Sequence, residues 1–194
     1  MLHKARERLH GERYSGTEAQ RWAAWVGLAA ATGILYFLAA RLSLVRLTEL
    51  DGVAVFWPAA GVSAGALVAL GSGARLPVIT GVVAATLAAN LAGDRKIASA
   101  IVFALCNAGE AMLAAWLIER QFGAHFSLDS FRRVVGLLIA AGLATAVSGI
   151  GGTLGFVLFH GSTAPVLTTW YNWFASDALG IVTLARSGDP CAQR

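Results

Sequence analysis

Two acidic residues interrupt long apolar segments of the sequence, and this position makes them the first candidates for chemistry. Glu110 lies in the segment that begins at Ile97, and Asp177 lies in the segment that begins at Val166. A carboxyl group among apolar side chains is costly unless it is hydrogen-bonded, paired or neutralised. Such a group therefore binds a ligand, carries a proton, or joins two elements by hydrogen bonds. The residue types alone leave these three roles open.

Amide and hydroxyl side chains accompany the two acids. Asn107 precedes Glu110 by three residues, so the two side chains share one face if the segment is helical. Asn90 lies in the preceding apolar segment, and Ser176 lies next to Asp177. No Lys or Arg lies inside these segments to serve as a counter-ion. The expected site is a buried polar cluster shared by several elements.

Other patterns in the sequence suggest chemistry, but their sequence context argues against a catalytic or binding role. The segment Gly61-Val62-Ser63-Ala64-Gly65 matches the nucleophile pattern G-x-S-x-G, but that pattern needs a strand-turn-helix elbow and an acid-oriented His. The four His and two Cys residues show no metal-ligand spacing, and no glycine-rich phosphate loop follows a strand. We therefore expect no catalytic residue, no metal and no cofactor, and we expect that the chain is not an enzyme.

The elements that position these residues follow from composition. The 194 residues are 57% hydrophobic and only 13% charged, whereas an ordinary soluble domain is about 25% charged. Charge-free runs of about 18 residues or more are typical of membrane helices. We predict an all-α, polytopic membrane helix bundle with about six transmembrane helices. They lie at about 22–42, 55–73, 76–93, 97–118, 134–159 and 166–185. Glu110 and Asp177 are then roughly 20 and 16 Å from the starts of their helices, deep enough to share one layer.

The charged residues between the helices predict an orientation. Alternate segments carry eleven Lys and Arg residues on one side and four on the other, so the positive-inside rule places both termini in the cytoplasm. The chain then divides into a basic cytoplasmic segment at 1–21, a membrane bundle at 22–186 and a short cytoplasmic tail at 187–194. We expect the basic segment to meet anionic lipid headgroups and not nucleic acid.

Four short stretches of the sequence, in their order and spacing, carry a resemblance to a known family. They are Val55-Phe56-Trp57-Pro58-Ala59-Ala60-Gly61, Ala89-Asn90-Leu91, Asn107-Ala108-Gly109-Glu110-Ala111 and Trp173-Phe174-Ala175-Ser176-Asp177-Ala178-Leu179-Gly180. Over about 55–185 the chain resembles the bacterial membrane-associated sensor family of the first kind, the MASE type. The resemblance implies a multi-pass, non-catalytic input module of the inner membrane, usually fused to histidine kinase, diguanylate cyclase, phosphodiesterase or PAS domains.

The resemblance also selects site residues and partners. The family's characteristic positions, and hence the candidate ligand-binding or signal-coupling residues, are Asn90, Asn107, Glu110, Asp177, Trp57 and Pro58. The expected partners are the lipid bilayer and a kinase or diguanylate cyclase output module, in the same chain or in another, and a homo-oligomer stays open. Because the family's domain typically continues with about two more helices and an output module, we expect this chain to be an incomplete sensor, a fragment or a stand-alone remnant that signals through a partner.

Two other functions stay open from the residues alone. A small transporter or proton-coupled permease would use the same two acids as binding or proton-carrying groups. A structural membrane partner would instead use small-residue faces, at Gly61 and Gly65 or at Gly151 and Gly155, to let helices approach closely.

Overall fold

Six α-helices make up nearly all of the part of the chain that the structure describes. The computed structural model describes residues 17–46, 54–123, 126–160 and 164–185. The helices are α1 (Glu18–Arg46), α2 (Pro58–Leu70), α3 (Arg75–Leu91), α4 (Ile97–Phe122), α5 (Phe131–Gly155) and α6 (Val166–Ala185). A 3₁₀ turn at Ser72–Ala74 precedes α3, and a π-helical turn at Phe156–His160 extends α5. The all-α fold class is confirmed.

Local sequence signals explain several helix ends. Thr17 and Gln20 cap the start of α1 reciprocally: Thr17 N donates to Gln20 Oε1 at 3.0 Å, and Gln20 N donates to Thr17 Oγ1 at 3.3 Å. Pro58 begins α2, where its missing N–H costs nothing. Gly71 and Gly123 end α2 and α4 at φ 73° and 81°, a conformation that glycine adopts without strain.

The helices pack around α4 and α2. α1 packs mainly on α3, α5 lies between α4 and α6, and α2 contacts α4 and α6. Two helix crossings are very close. A Cβ atom at Gly33 would lie 3.2 Å from the carbonyl oxygen of Gly81, and one at Gly61 would overlap the backbone of Gly180. Glycine at these crossings allows backbone-to-backbone contact between α1 and α3 and between α2 and α6.

Large apolar side chains point outward from the bundle, whereas its interior is rich in small residues. Leu35, Leu105 and Val147 are each more than half exposed, while the main core cluster contains many alanines. A surface of this kind is unsuited to water but matches lipid tails. The outer faces of the helices are therefore the surfaces that a bilayer would cover.

Four helices of the described part of the chain are long and apolar enough to cross a membrane. They cover Glu18–Val45, Ser72–Leu91, Ile97–Phe122 and Phe131–Phe159. The apolar helix α2 has 13 residues, a length of about 20 Å, which is less than the roughly 30 Å of a hydrocarbon core. The segment that precedes α2, predicted as helical from residue 55, is not helical before Pro58.

Candidate functional site

A pair of buried acids joins the C-terminal three helices. Glu110 of α4 and Asp177 of α6 are 2% and 3% exposed, and their carboxyl groups lie within hydrogen-bonding reach of each other. Ser148 of α5 donates its hydroxyl to Glu110 Oε2. Trp173 Nε1 donates in turn to Ser148 Oγ at 3.2 Å. The acids thus belong to one hydrogen-bonded cluster that connects α4, α5 and α6.

The two oxygens of Asp177 differ in their surroundings. Oδ1 accepts a hydrogen bond from Ser176 Oγ at 2.9 Å. Oδ2 is fully buried and finds no hydrogen-bond donor in the described ranges. A protonated carboxyl donates one hydrogen bond, so one proton on the Glu110–Asp177 pair would supply a donor between the acids. The geometry is therefore sensitive to any ligand or proton that reaches Asp177.

A cavity lies beside Asp177, at the end of the bundle where α2, α4 and α6 begin and where α3 and α5 end. Its polar wall is formed by Asn90, Arg95, Asn107, Ser176 and Asp177, and aromatic side chains form much of the remainder. The cavity has a volume of about 30 Å³ and lies in a cleft of about 370 Å³ that includes space open to solvent. About two water molecules fit in the inner part. Glu110 does not line the cavity and stands behind Asp177.

The two asparagines of this wall have different roles. Asn90 Nδ2 donates to the carbonyl oxygen of Thr86 at 2.8 Å, which fixes the amide against its own helix α3. Asn107 is 5% exposed, and its amide makes no hydrogen bond with the described residues, including Glu110 one turn away. A buried amide without a partner is costly. Asn107 is therefore the wall residue whose hydrogen-bonding capacity is most available to a ligand.

Arg95 is a site residue that the sequence pattern missed, because it lies outside the helices in the α3–α4 loop. Asp94 adopts φ 58° there, and Arg95 N donates to Asn90 O at 3.1 Å, which turns the chain back over the cavity. The guanidinium carbon lies 5.5 and 5.2 Å from the ring centroids of Phe103 and Phe156. Burial lowers the pKa of Arg95 to about 10, so the side chain stays cationic at neutral pH.

The apolar segments that carry Asn90, Glu110 and Asp177 contain no Lys or Arg, as the sequence indicates, and Arg95 lies outside them. Arg95 nevertheless lines the same cavity from the α3–α4 loop. The sequence signal was the Gly93-Asp94 turn that follows Asn90 closely, since residues of this kind favour tight reversals.

Trp57 connects the site to α1 and α6, and Pro58 follows it as the first residue of α2. Trp57 Nε1 donates to the hydroxyl of Tyr36 at 3.3 Å, and Trp57 N donates to Ser176 O at 3.2 Å. The carbonyl of Trp57 lies against Gly180, where a Cβ atom would overlap it. Trp57 therefore ties α1 and the start of α2 to the turn of α6 that carries Asp177. Pro58 is half-buried and does not line the cavity.

Other chemistry is unsupported within the described residues. They contain no group of three or more His, Cys, Asp and Glu side chains that could hold a metal ion. The hydroxyl of Ser63 bonds to Ala59 O at 3.2 Å and Ala60 O at 3.0 Å within its own helix. The G-x-S-x-G pattern is therefore a stretch of packed helix. The site is suited to binding and hydrogen-bond rearrangement.

Comparison with known proteins gives one finding of similarity. A family model described as MASE1 matches residues 28–186, which is most of the chain and includes every residue of the site. No curated protein and no solved structure matches the chain significantly.

Proposed function

The chain belongs to the MASE1 family, a membrane-associated sensory domain of signalling proteins, and from this premise we propose that it is a multi-pass input module of the bacterial inner membrane. It senses a stimulus through the buried polar site and passes it to a histidine kinase or a diguanylate cyclase output module. It performs no catalysis itself. Its bundle occupies 22–186, and both flanking segments lie in the cytoplasm.

The observation that carries this proposal is the connection of the acid pair to nearly every helix of the bundle. Ser148 of α5 joins Glu110 of α4 to Trp173 of α6. Trp57 adds α1 and α2 through its bonds to Tyr36 and Ser176. A change in the hydrogen bonding of one acid therefore alters the contacts of several helices together. An input module needs such a connection between a local site and the arrangement of its helices.

The mechanism that we propose has two packings of α4 and α6. In one, Ser148 donates to Glu110, and the carboxyl groups of Glu110 and Asp177 lie near each other. In the other, a stimulus takes up the bonding capacity of Asn107 or Asp177, and the two helices shift. A stimulus produces a signal only if it stabilises the two states differently. The unbonded Asn107 and Asp177 Oδ2 supply that difference.

The proposed orientation places the cavity on the outer side of the membrane. The lysine and arginine distribution favours cytoplasmic termini, and the ion pair of Arg75 with Glu119 lies at the opposite end of the bundle from the cavity. A stimulus would then enter from outside, while the end of α6 faces the output module.

The test is to fuse the full chain to a diguanylate cyclase output domain and measure cyclic di-nucleotide production in cells. Asp177→Asn keeps the shape of the side chain but removes its charge, so we expect loss of the response to changed growth conditions. Asp129→Asn is the matched control, because Asp129 is exposed and pairs with Arg133 outside the site. An unchanged response in a membrane-inserted Asp177→Asn protein would contradict the proposal.

A proton-coupled permease is the second candidate, and the buried acid pair beside a cavity is the observation that favours it. Carboxyl pairs at membrane depth also carry protons in transporters. Proteoliposomes that contain the purified chain distinguish the two functions. A permease moves solute or protons and loses that flux in Asp177→Asn, whereas a sensor shows no flux in either protein.

A further inference from the structure

We propose that the cavity binds a small uncharged molecule that carries a carboxamide group, and that this group pairs with the side-chain amide of Asn107. Such a ligand is the stimulus of the proposed sensory site, so its biological meaning rests on that proposal. Its binding can be measured on the purified chain without any signalling output.

The side-chain amide of Asn107 supplies the main hydrogen-bonding groups for this ligand. Asn107 is 5% exposed and lines the cavity, and its amide makes no hydrogen bond with the described residues. Such an amide has a carbonyl acceptor and two N–H donors, and leaving them unbonded in a buried place is costly. A carboxamide offers a donor and an acceptor side by side, so it can bond to both ends of the Asn107 amide.

A second amide on the wall adds an acceptor. Asn90 is 3% exposed and lines the same cavity. Its Nδ2 donates to the carbonyl oxygen of Thr86 at 2.8 Å, which fixes the amide, while its side-chain oxygen accepts no hydrogen bond from the described residues. The NH₂ group of a carboxamide has two N–H donors. One of them can bond to Asn107 and the other to Asn90.

The other polar groups of the wall interact with the protein itself. The Arg95 guanidinium lies over the rings of Phe103 and Phe156 at 5.5 and 5.2 Å, so it is not a free group and no ligand contact is assigned to it. Ser176 Oγ donates to Asp177 Oδ1 at 2.9 Å, and Asp177 Oδ2 is fully buried. Among the described wall residues, the groups left for a ligand are thus mainly the two uncharged amides.

The charges around the cavity disfavour an ionic ligand. Arg95 is cationic at neutral pH, and Asp177 belongs to the acid pair. A ligand ion of either sign therefore meets a like charge on the wall as well as an opposite one. A buried ion without a close partner of opposite charge is costly. Aromatic rings and uncharged amides form most of the remaining wall, which suits an uncharged polar ligand.

The size of the cavity limits the ligand to a compact molecule. The inner part of about 30 Å³ holds about two water molecules, and the nitrogen and oxygen atoms of one carboxamide can replace such a pair. The rest of the ligand then lies in the cleft of about 370 Å³, which is at the small end of the range for ligand sites. A small amide therefore fits better than a peptide, a nucleotide or a lipid headgroup.

The experiment compares small probes of nearly the same shape on the purified full chain in lipid nanodiscs. Acetamide is uncharged and has a donor and an acceptor, whereas acetone is uncharged and has only the acceptor. Acetate is the corresponding anion, and acetamidinium is the corresponding cation. Saturation-transfer nuclear magnetic resonance measures the binding of each probe, and empty nanodiscs are the reference. So small a molecule binds weakly, so the titrations extend into the millimolar range.

We expect saturable binding of acetamide, and we expect the other probes to bind at least about tenfold more weakly. Acetone lacks the donors for Asn107 and Asn90. Acetate lacks these donors and adds a negative charge, while acetamidinium lacks the acceptor and adds a positive charge. The order of the four affinities therefore reports both the hydrogen bonding and the charge of the site.

A substitution at Asn107 assigns the contact. Asn107→Leu keeps the approximate size of the side chain but removes its hydrogen-bonding groups, so it should weaken acetamide at least about tenfold and remove its advantage over acetone. Gln121→Leu is the matched control, because Gln121 is an exposed amide of the same helix that lies near Gly136 and does not line the cavity. This control should change none of the affinities.

Several outcomes would contradict the amide site. Acetate binding equal to that of acetamide shows an anion site, and equal binding of acetamidinium shows a cation site. Equal binding of acetone shows an apolar cavity that does not select for an amide. Absence of binding of all four probes to a chain whose helicity and cooperative unfolding are intact excludes the site. Unchanged acetamide affinity in a folded Asn107→Leu protein excludes Asn107 as the contact.

Failure of the amide site and failure of the sensory proposal are separable. The comparison of the four probes uses the unaltered protein, so a variant that fails to fold does not affect it. Failure of amide binding leaves the sensory proposal intact if Asp177→Asn still abolishes the response of the output fusion. An unchanged response of that fusion, with acetamide binding retained, contradicts the sensory proposal alone.

Discussion

At the residue scale, the buried acid pair depends on donors from its neighbours. Ser148 contacts Glu110 with its hydroxyl and also accepts the indole N–H of Trp173. A buried acceptor that loses its donor costs about 1–3 kcal/mol. The bonds to Ser148 therefore stabilise the fold as well as the site.

Substitution of Ser148 tests this dependence. We expect Ser148→Ala to lower the unfolding free energy by about 1–3 kcal/mol, because both Glu110 and the Trp173 indole lose a partner. Reversible unfolding in mixed micelles, followed by circular dichroism, measures the change. Thr183→Ala is the control, since its exposed hydroxyl bonds only to its own helix at Leu179 O and Gly180 O. Equal stability of the two variants would contradict the importance of the cluster.

A second prediction at this scale concerns coupling between the two acids. If Glu110 and Asp177 share a hydrogen bond, then the effects of Glu110→Gln and Asp177→Asn on the unfolding free energy should not be additive. The double variant should differ from the sum of the single changes in unfolding free energy by about 0.5–3 kcal/mol. Additivity within about 0.5 kcal/mol would show that the carboxyl groups act independently.

At the element scale, the crossing of α2 and α6 is the closest contact near the site. A methyl group at Gly61 would meet the backbone of Gly180, whereas one at Gly65, about one turn further along α2, would meet nothing within 4 Å. Only the first of these glycines is needed for the crossing. The two glycines of one G-x-x-x-G stretch therefore have different roles.

These two positions give a matched pair of substitutions. Gly61→Ala should destabilise the protein by about 1–3 kcal/mol, because neither backbone can give way easily. Gly65→Ala should be neutral or should stabilise by up to about 1 kcal/mol, as alanine favours helices over glycine. The midpoints of thermal unfolding measure both. A loss of stability at Gly65 equal to that at Gly61 would contradict the contact geometry.

Much of the element arrangement could be predicted from the sequence, for identifiable reasons. Six helices follow from the charge-free runs, because charges are confined to the ends of apolar segments in a bilayer. The proximity of Glu110 and Asp177 follows from counting residues along two helices. Arg95 could not be predicted in this way, since a loop residue reaches the cavity only through the turn at Asp94.

Tertiary contacts explain the other differences. The segment before Pro58 is not helical, and Trp57 N bonds to Ser176 O across the bundle, a partner that no local pattern encodes. The bond between Ser148 and Glu110 joins residues 38 positions apart. Asn107 and Glu110 lie on one face of α4, as their spacing predicts. The amide of Asn107 nevertheless does not bond to the carboxyl group of Glu110. Residue spacing predicts which side chains share a helix face, but it does not predict a hydrogen-bond partner on another helix.

At the scale of the whole molecule, the proposed mechanism depends on the orientation of the bundle in the membrane. The proposed topology places the 161–165 segment outside and the C-terminus inside. Reporter fusions at Ser162 and at the C-terminus should therefore indicate opposite sides of the membrane. A fusion at Arg21 should agree with the C-terminal one. Agreement between the Ser162 and C-terminal reporters would refute the six-crossing arrangement.

The distance between α4 and α6 shows whether the acid pair selects between two packings of these helices. Spin labels at Gln121→Cys and Thr183→Cys, in a chain whose own cysteines are replaced by serine, report that distance by pulsed electron resonance. We expect Asp177→Asn to shift the distance distribution by about 1–2 Å or more, the scale of helix movements in signalling, and we expect Asp129→Asn to leave it unchanged. A single distance shared by all three proteins, with the helicity of each intact, would show that the acid pair does not select between two packings.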